Sequence, residues 1–589
     1  MPEQKPQLDK FGIAAALQEI AQLMELRGGQ YRFKAKAYNA GARSIQAVGD
    51  LDRLVREDRL TTVPRIGSAL ASQIKQLYLT GESSVLEELR KEFPSGIVQL
   101  SLVPGLSLNK VKQLHDELGI SSVEELKAAA EAGKLRDLKG FGVKTEQRLL
   151  RQISEPKEKP RQQLHLHHAW NTADQVIEYM KTDRSLVDIS VAGSLRRWVE
   201  TVGTIEIVAS GKKPDALIEH FLRLPLIVSS ERNGDNNCIA SLADSAVVSF
   251  TAVTQGEYPV VLFSRTGSEP HVDKVARLIT GTAGVSPATH GSVRSVSRQA
   301  RRLRSQDKMP RNEAEIYERA GMQYVPPELR EDQGEVEAAL EGKLPEDLLL
   351  LDDIKGMVHC HTTYSDGKHT LEQMVRAAEA MGMKYITITD HSPTAFYAGG
   401  LKADDLYRQW DEIDELQSTV KIKILRGTES DILADGGLDY PDRILEQLDC
   451  IVASVHARYK MDSRKMTERI INAMRQPVFK VWGHALGRLI QRRPPFECDI
   501  ERILDVIAES KAAIEINGDP YRLDLEPRWV REARKRKIKF VISVDAHSMG
   551  ALANVKFGVA MARRGWVTRR EVLNTLPPAS FMKAVRPEQ

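Results

Sequence analysis

The second half of the chain alternates short apolar runs with longer amphipathic segments. Seven runs rich in β-branched residues end at or near a polar residue, and these polar residues recur at intervals of 32, 38, 27, 28, 31 and 30. They are His359, His391, Glu429, His456, His484, Glu515 and Asp545. Each interval matches the roughly 30 residues of one strand and its returning helix, and segments 371–381 and 406–417 have helical spacing of apolar positions. The pattern predicts a parallel barrel with polar residues at its C-terminal rim, where βα barrels carry active sites.

The polar residues of this predicted rim are of the types that bind transition metals. His359 and His361 stand two residues apart, so on a strand both imidazoles point to one face. Asp366 follows in a turn, and His391 follows the next strand. A single histidine is more often an ordinary surface or core residue, but this many ligand types in phase predict a metal site. The candidate ligands are His359, His361, Asp366, His391, Glu429, His456, His484, Asp545 and His547.

The first 150 residues are predicted to be helical, and they contain three short turns with glycine before a helix. These are VPRIGSALASQI (63–74), VPGLSLNKVKQL (103–114) and LKGFGVKTEQRL (138–149). Backbone N–H groups at such turns favour an anion, here a DNA phosphate, and they read no base sequence. The candidate DNA-binding residues are Gly67, Gly105, Gly140, Gly142 and Lys144.

Length and composition indicate a multidomain protein. At 589 residues the chain is too long for one core, so three or four domains are expected. The net charge of +3 means that any surface for nucleic acid must be local. The four cysteines (Cys238, Cys360, Cys450 and Cys498) form no CxxC pair, which predicts a reducing compartment without disulfides or a thiolate zinc site. No apolar run reaches membrane-spanning length and no signal peptide is recognised, so we expect a cytoplasmic protein.

The C-terminal pattern, HxH, SDG and TDH followed by a glutamate, two histidines and DxH, resembles that of the PHP (polymerase and histidinol phosphatase) family. The resemblance covers about residues 350–575. It implies a distorted (β/α)7 barrel that holds up to three divalent ions, usually manganese, zinc or iron, and hydrolyses phosphoesters. It also implies that the nine candidate ligands are catalytic. Arg458 and Arg488, each close in sequence to a candidate histidine, are candidate phosphate clamps.

The segment VAGSLRRWVETVGTIEIVAS (191–210) resembles the palm signature of family X DNA polymerases, the group that contains DNA polymerase beta. RTGSEPH (265–271) and YVPPELRE (324–331) resemble further segments of bacterial members, and the glycine turns resemble helix–hairpin–helix motifs. The resemblance therefore implies a multidomain α + α/β protein. Its expected parts are a helical lyase-like domain (1–95), a fingers-like domain (96–155), palm and thumb (164–325), a linker (326–349) and the PHP domain (350–575).

The palm departs from the family at its metal ligands. Where the family has GDIDIL, this chain has Thr204 and Glu206, and Ser249 aligns with the third aspartate. Nucleotidyl transfer needs carboxylates that hold two magnesium ions about 3.5–4 Å apart, so we predict a degenerate polymerase site. The position of the family's lyase nucleophile is Gln73, which has no amine. The degenerate polymerase site comprises Gly193, Ser194, Arg197, Thr204, Glu206 and Ser249.

The leading hypothesis is a DNA-repair-type phosphoesterase that binds gapped, nicked or 3′-ended DNA as a monomer. By resemblance its reaction is a 3′→5′ exonuclease, with 3′-phosphatase or abasic-site cleavage as further activities. Two alternatives stay open. One is an active family X polymerase that fills short gaps, and the other is a non-catalytic DNA-binding scaffold.

Overall fold

The computed structural model describes residues 8, 10–46, 51–93, 100, 103, 106, 108–136, 138, 140–142, 145–147, 149–150, 163–234, 236–280 and 309–586. The chain divides into two compact units. The first comprises Met1–Leu164, His168–Val191 and Gly203–Tyr258, and the second comprises His165–His167, Ala192–Val202 and Pro259–Gln589. The finer division into five segments stays a prediction. Gly105 and Lys144 lie outside the described residues.

The first unit begins with helices that share one apolar core. Their bounds are α1 (Lys10–Arg27), α2 (Tyr31–Gln46), α3 (Leu51–Arg56), α4 (Ser68–Thr80), α5 (Ser84–Glu92), α6 (Leu108–Leu118) and α7 (Val123–Glu131). Ile13, Leu17, Ile20 and Met24, spaced three and four apart, place one face of α1 in that core. Helix α4 ends where Gly81 takes a left-handed φ of 74°, a conformation that glycine adopts without steric cost.

A five-stranded sheet completes the first unit. This part of the chain contains β1 (Leu164–His165), α8 (Leu166–Met180), β2 (Leu186–Ala192), α9 (Gly193–Arg196), β3 (Thr201–Val202), β4 (Ile205–Gly211), α10 (Pro214–Leu222), β5 (Ile227–Arg232), β6 (Asn237–Leu242) and β7 (Val247–Val253). Of these, α9, β3 and the segment His165–His167 belong to the second unit. The sheet order is β2-β4-β7-β6-β5. Strands β4 and β7 pair in parallel, whereas β5, β6 and β7 pair antiparallel. This is the mixed α/β architecture that the sequence predicts.

The second unit contains four short helices packed on a core of their own. They are α11 (Tyr258–Thr266), α12 (Glu269–Thr280), α13 (Glu313–Arg319) and α14 (Glu335–Leu340). The fully buried guanidinium of Arg330 lies 2.6 Å from Glu313 Oε1, and Arg196 NH1 donates to the same oxygen at 3.0 Å. A buried charge persists only when it is paired in this way, so the network ties α13 to its neighbours.

The rest of the second unit is a closed barrel of seven parallel strands, ordered β10-β11-β12-β13-β14-β8-β9. The strands are β8 (Gly356–Cys360), β9 (Tyr385–Ile388), β10 (Lys423–Asp431), β11 (Cys450–Ser454), β12 (Lys480–Trp482), β13 (Ala512–Asn517) and β14 (Phe540–Ala546). The helices are α15 (Leu371–Ala380), α16 (Ala403–Gln417), α17 (Asp442–Leu445), α18 (Ser463–Met474), α19 (Ile500–Ala508), α20 (Pro527–Lys535), α21 (Val555–Arg564) and α22 (Pro578–Val585). The predicted seven-stranded barrel is confirmed.

Apolar side chains fill the N-terminal end of the barrel. Val358, Leu425 and Val452 belong to a buried cluster there. Helix α22 joins the same cluster, and its Phe581 stacks on Tyr385 with ring centroids 4.7 Å apart. The polar strand ends are therefore left to the C-terminal rim. Among the described residues, no helix combines the length and apolarity needed to cross a membrane.

Candidate metal centre

The C-terminal strand ends bring the nine candidate ligands together. Their donor atoms form three groups, and within each group the atoms lie within 4.8 Å of one another. The groups are His361, Asp366, His391 and His547; His359, His361, Glu429 and Asp545; and His391, Glu429 and His456. His484, the remaining candidate, reaches the cluster through its Nε2, which lies 2.9 Å from Glu429 Oε1.

Glu429 is the centre of this arrangement. Its carboxylate lies 3.3 Å from His359 Nε2, 3.1 Å from His391 Nδ1 and 3.1 Å from His456 Nε2. The side chain is only 1% exposed, so water screens these interactions poorly. A carboxylate shared between groups is suited to bridging cations.

The backbone at the strand ends differs from the simple alternation that the sequence suggested. His359 has a left-handed φ of 67°, and the pairing of β8 shifts register next to it. His359 and His361 do join the same group, but a bulge rather than regular alternation brings them there. His484 and Asp545 also have positive φ, at 25° and 51°. Such conformations cost about 1–3 kcal/mol each and are concentrated at functional sites.

Hydrogen-bond acceptors orient three of the imidazoles. His359 Nδ1 donates to Glu515 Oε1 at 2.6 Å, and His456 Nδ1 donates to Asp431 Oδ1 at 2.8 Å. His547 Nδ1 donates to the carbonyl oxygen of Asp545 at 2.8 Å. In each case the acceptor fixes a proton on Nδ1, so Nε2 is the nitrogen that is directed at the cluster.

Sequence reasoning missed the supporting roles of Asp431 and Asp390. Asp431 stands two residues after Glu429 on β10, and that spacing on a strand was the available signal. Asp390 accepts from Thr362 N at 2.8 Å and from Gln409 Nε2 at 2.6 Å. It thereby fixes the start of the turn that carries Asp366.

The charges at the cluster fit divalent cations. Burial disfavours ionisation of Glu429, but the neighbouring imidazoles of His456 and His359 hold its pKa well below the usual range. Burial opposes ionisation of Asp545 too, yet His359 and Arg522 keep its pKa well below normal. Burial lowers the pKa of His361 to about 3, so this imidazole is neutral and able to bind a metal.

Several donor atoms of the cluster are buried and have no hydrogen-bond partner within the part of the chain that the structure describes. They are His359 Nε2, His361 Nε2, His391 Nδ1, Glu429 Oε2 and Asp545 Oδ1. Buried polar atoms without partners are costly and uncommon. Nitrogen and carboxylate oxygen are the donors that first-row transition metals prefer, so the residues present fit such ions.

The two candidate phosphate clamps differ in their surroundings. Arg458 is exposed on the loop after β11. Arg488 is buried, and its guanidinium donates to the carbonyl oxygens of Arg522 and Leu523 and to Glu526 Oε1 at 3.0 Å. These contacts use its donors within the fold, and the role of Arg488 as a phosphate clamp stays a prediction. Sequence reasoning overlooked Arg522, whose Nε lies 3.0 Å from Asp545 Oδ2.

The palm residues of the first unit form no comparable site. Glu206 on β4 stands directly opposite Ser249 on β7. Ser249 Oγ accepts from Asn237 Nδ2 at 3.1 Å. All three groups of potential metal ligands found among the described residues lie in the barrel, and none includes Thr204 or Glu206.

The remaining palm positions lie in the second unit. Gly193 has a left-handed φ of 61°, and Ser194 O accepts from Val199 N at 3.0 Å. Arg197 Nε donates to Glu331 Oε1 at 2.9 Å, and Arg197 NH1 donates to the carbonyl oxygen of Thr266.

The backbone at the glycines of the first unit's turns is sterically unobstructed. Gly67 is the N-cap of α4, and Gly142 O accepts from Thr145 N at 2.9 Å. A Cβ at Gly67, Gly140 or Gly142 would meet no atom within 4 Å. Arg65, in the same turn as Gly67, has a left-handed φ of 69°. Open space at these turns is suited to close approach of a phosphate.

The barrel and its ligand cluster define a metal-dependent phosphoesterase of the PHP class. The family model of the PHP domain matches residues 358–519. A helix-hairpin-helix domain matches residues 9–83, and a SAM-like helix-hairpin-helix tandem matches residues 98–155. These modules are DNA-binding, so the two ends of the chain combine DNA binding with a hydrolytic centre.

One relative shows the family over nearly the whole chain, and two others match about a third of it. The DNA polymerase/3′-5′ exonuclease PolX of Bacillus subtilis (strain 168) is 34% identical over 570 residues, which cover 96% of this chain and 97% of that protein. A probable phosphatase of Thermoanaerobacter sp. (strain X514) is 28% identical over 235 residues, 37% of this chain and 89% of that protein. A probable phosphatase of Caldanaerobacter subterraneus is 29% identical over 206 residues, 32% of this chain and 74% of that protein. The chain belongs to the family X DNA polymerases that carry a PHP domain.

Proposed function

We propose that this protein is a 3′→5′ exonuclease of DNA whose hydrolytic centre is the PHP barrel. The observation that carries the proposal is the set of three donor groups, two of which share Glu429. The exonuclease named in the Bacillus relative supports it, because that likeness spans 96% of this chain. Removal of a 3′-phosphate and cleavage at abasic sites are further reactions that the same centre can serve.

We propose that the centre holds up to three divalent ions, of manganese, zinc or iron. The ligands would be the members of the three groups, with His484 beside Glu429. When bound, such ions polarise the phosphorus–oxygen bonds and lower the pKa of water. Glu515 and Asp431 hold the imidazoles of His359 and His456 by their Nδ1 protons.

We infer that the polymerase centre is inactive. Thr204, Glu206 and Ser249 leave one carboxylate where the family has three, and that carboxylate is one methylene longer. An active gap-filling polymerase is the alternative, and the polymerase activity in the name of the Bacillus relative favours it.

The proposed substrate is DNA with a gap, a nick or a free 3′ end, bound without regard to base sequence. The helix-hairpin-helix turns support this because they offer backbone N–H groups to phosphates. We propose further that the protein acts as a monomer in the cytoplasm, with the five segments as predicted from the sequence.

A labelled gapped duplex, incubated with each divalent metal, tests both activities in one reaction. We expect shortening from the 3′ end and no extension when deoxynucleotides are present. Loss of residues that merely orient metal ligands costs about 10- to 100-fold, so Glu429→Gln should lose at least that much. His369→Ala is the matched control, because His369 lies near the rim but belongs to none of the three groups. Primer extension at a rate comparable with degradation would refute the inference that the polymerase centre is inactive.

A further inference from the structure

The loop between β9 and α16 carries the most exposed of the large apolar side chains that the structure describes. Phe396 is 84% exposed, and its neighbour Tyr397 is 62% exposed. The two rings meet edge to face, with centroids 6.0 Å apart. Adjacent exposed aromatic rings are uncommon on a protein surface and mark places where a ligand or partner binds.

This loop is anchored at the metal centre. It begins after the candidate ligand His391 and returns to it, because Leu401 N donates to His391 O at 2.8 Å. Tyr440 Oη donates to Leu401 O at 2.6 Å, and the loop residues Ala395 and Ala398 are themselves buried. The aromatic pair therefore stands on a compact, hydrogen-bonded support, so its exposure is a feature of the folded loop.

The backbone of this loop adjoins residues of the donor groups. Ser392, at its start, donates its N–H to the carbonyl oxygen of Glu429 at 3.0 Å. A Cβ built on Gly399, two residues after Tyr397, would lie 3.6 Å from the carbonyl oxygen of Ser365, the residue before Asp366. A molecule that rests on the aromatic pair therefore lies on a loop that borders the hydrolytic centre.

Basic side chains occupy the neighbouring loops of the same rim. Arg458 and Lys460 are exposed on the loop after β11 and flank Tyr459. Arg493, on the loop after β12, lies over the Tyr459 ring at 3.9 Å, and Arg492 beside it is exposed. Positive charge that follows the backbone, together with aromatic faces that stack bases, is the composition of surfaces that bind single-stranded nucleic acid.

We propose that Phe396 and Tyr397 form a stacking platform for the unpaired 3′-terminal base of a DNA strand, which directs the last phosphodiester to the metal centre. The inference rests on the proposed exonuclease function and specifies its substrate. A paired terminal base is stacked within its own duplex and must unpair to reach the platform. The enzyme therefore prefers frayed, mismatched or single-stranded 3′ ends, and it accepts any base because every base has a π-face.

The first test compares two ends on one duplex, a 3′-terminal mismatched base and a 3′-terminal abasic residue. The full-length double variant Phe396→Ala with Tyr397→Ala should lose about 10-fold or more in kcat/KM on the mismatched base, the scale of one base–aromatic stack. The same variant should match the parent on the abasic end, which has nothing to stack. Met381→Ala, which removes an exposed apolar side chain at the end of α15, is the matched control and should match the parent on both ends.

The second test needs no hydrolysis. An oligonucleotide with 2-aminopurine at its 3′ end is mixed with full-length protein in the presence of a chelator, and stacking quenches its fluorescence. The parent and Met381→Ala should quench it, and the double variant should not.

The outcomes separate the platform from the proposed function. If the parent and the double variant hydrolyse the mismatched end with equal kcat/KM, the platform proposal is overturned. The exonuclease proposal is then unaffected. If the parent hydrolyses no DNA, the exonuclease proposal fails, and the fluorescence decides the platform alone. Quenching that survives in the double variant would then overturn the platform.

Discussion

At the scale of single residues, the centre depends on side chains that stand next to the candidate ligands. Glu515 and Asp431 accept the Nδ1 protons of His359 and His456, so each imidazole presents the correct nitrogen. Arg522 pairs with Asp545 Oδ2 through Nε, while its buried NH1 has no hydrogen-bond partner among the residues that the structure describes. This guanidinium is therefore the arginine that we expect to meet a substrate phosphate.

Arg522→Gln should lower kcat/KM for DNA hydrolysis by about 10- to 100-fold, since a hydrogen bond to a charged group contributes roughly 1.5–3 kcal/mol. Arg522→Lys should recover part of this loss, because an ammonium keeps the charge but not the planar fork. Steady-state kinetics and metal analysis of the same samples check the prediction. A parallel loss of bound metal in Arg522→Gln would show instead that Arg522 acts only by holding Asp545.

At the scale of elements, the third glycine turn contains one glycine that the backbone conformation requires and one that it does not. Gly140 has a left-handed φ of 88°, whereas Gly142 has no positive φ and its missing Cβ would meet only open space. The fold therefore requires glycine at position 140. At position 142 the described structure offers no steric reason for glycine, so we expect a side chain there to affect only a ligand that approaches the turn.

Gly142→Val should weaken DNA binding and leave the thermal unfolding midpoint unchanged, because its branched side chain obstructs only the approaching backbone. Gly140→Ala is the matched comparison, and it should lower the free energy of unfolding by about 1–2 kcal/mol through its strained φ. Fluorescence anisotropy across a salt series measures affinity, which should fall steeply with salt for both parent and variant. Unchanged affinity of Gly142→Val would exclude this turn from the DNA contact.

At the scale of the whole molecule, DNA binding and hydrolysis are assigned to different parts of the chain. The helix-hairpin-helix matches lie within residues 9–155, and the candidate ligands lie within residues 359–547. The two activities should therefore respond to different substitutions.

The double variant His359→Ala with His361→Ala should lose hydrolysis and keep nearly the parental affinity for a gapped duplex. It should also lose the rise in unfolding midpoint that added manganese or zinc gives the parent, since a ligand that binds only the folded state stabilises that state. Anisotropy and thermal unfolding with and without metal check both parts. A folded double variant that no longer binds DNA would show that the barrel is also the main docking surface.

The sequence by itself determined the barrel and the types of its ligands. Strand alternation, helical spacing and intervals of about 30 residues are local features, and each is visible along the chain before it folds. The departure at the expected palm ligands is equally local, because Thr204 and Ser249 are visible as residue types. All nine candidate ligands lie at the predicted rim for this reason.

Only the tertiary structure decided which groups these residues join and what surrounds them. The left-handed φ of His359 arises where β8 shifts its register against both neighbouring strands, which no single segment reveals. The sequence does not distinguish Arg488 from Arg522. In the folded protein the Arg488 guanidinium donates to carbonyl oxygens, whereas the Arg522 guanidinium pairs with Asp545. Nothing local in the sequence indicates that Phe396 and Tyr397 are exposed; the loop that closes on His391 leaves both rings in solvent. Spacing along a chain specifies the face of an element, whereas long-range packing decides what that face meets.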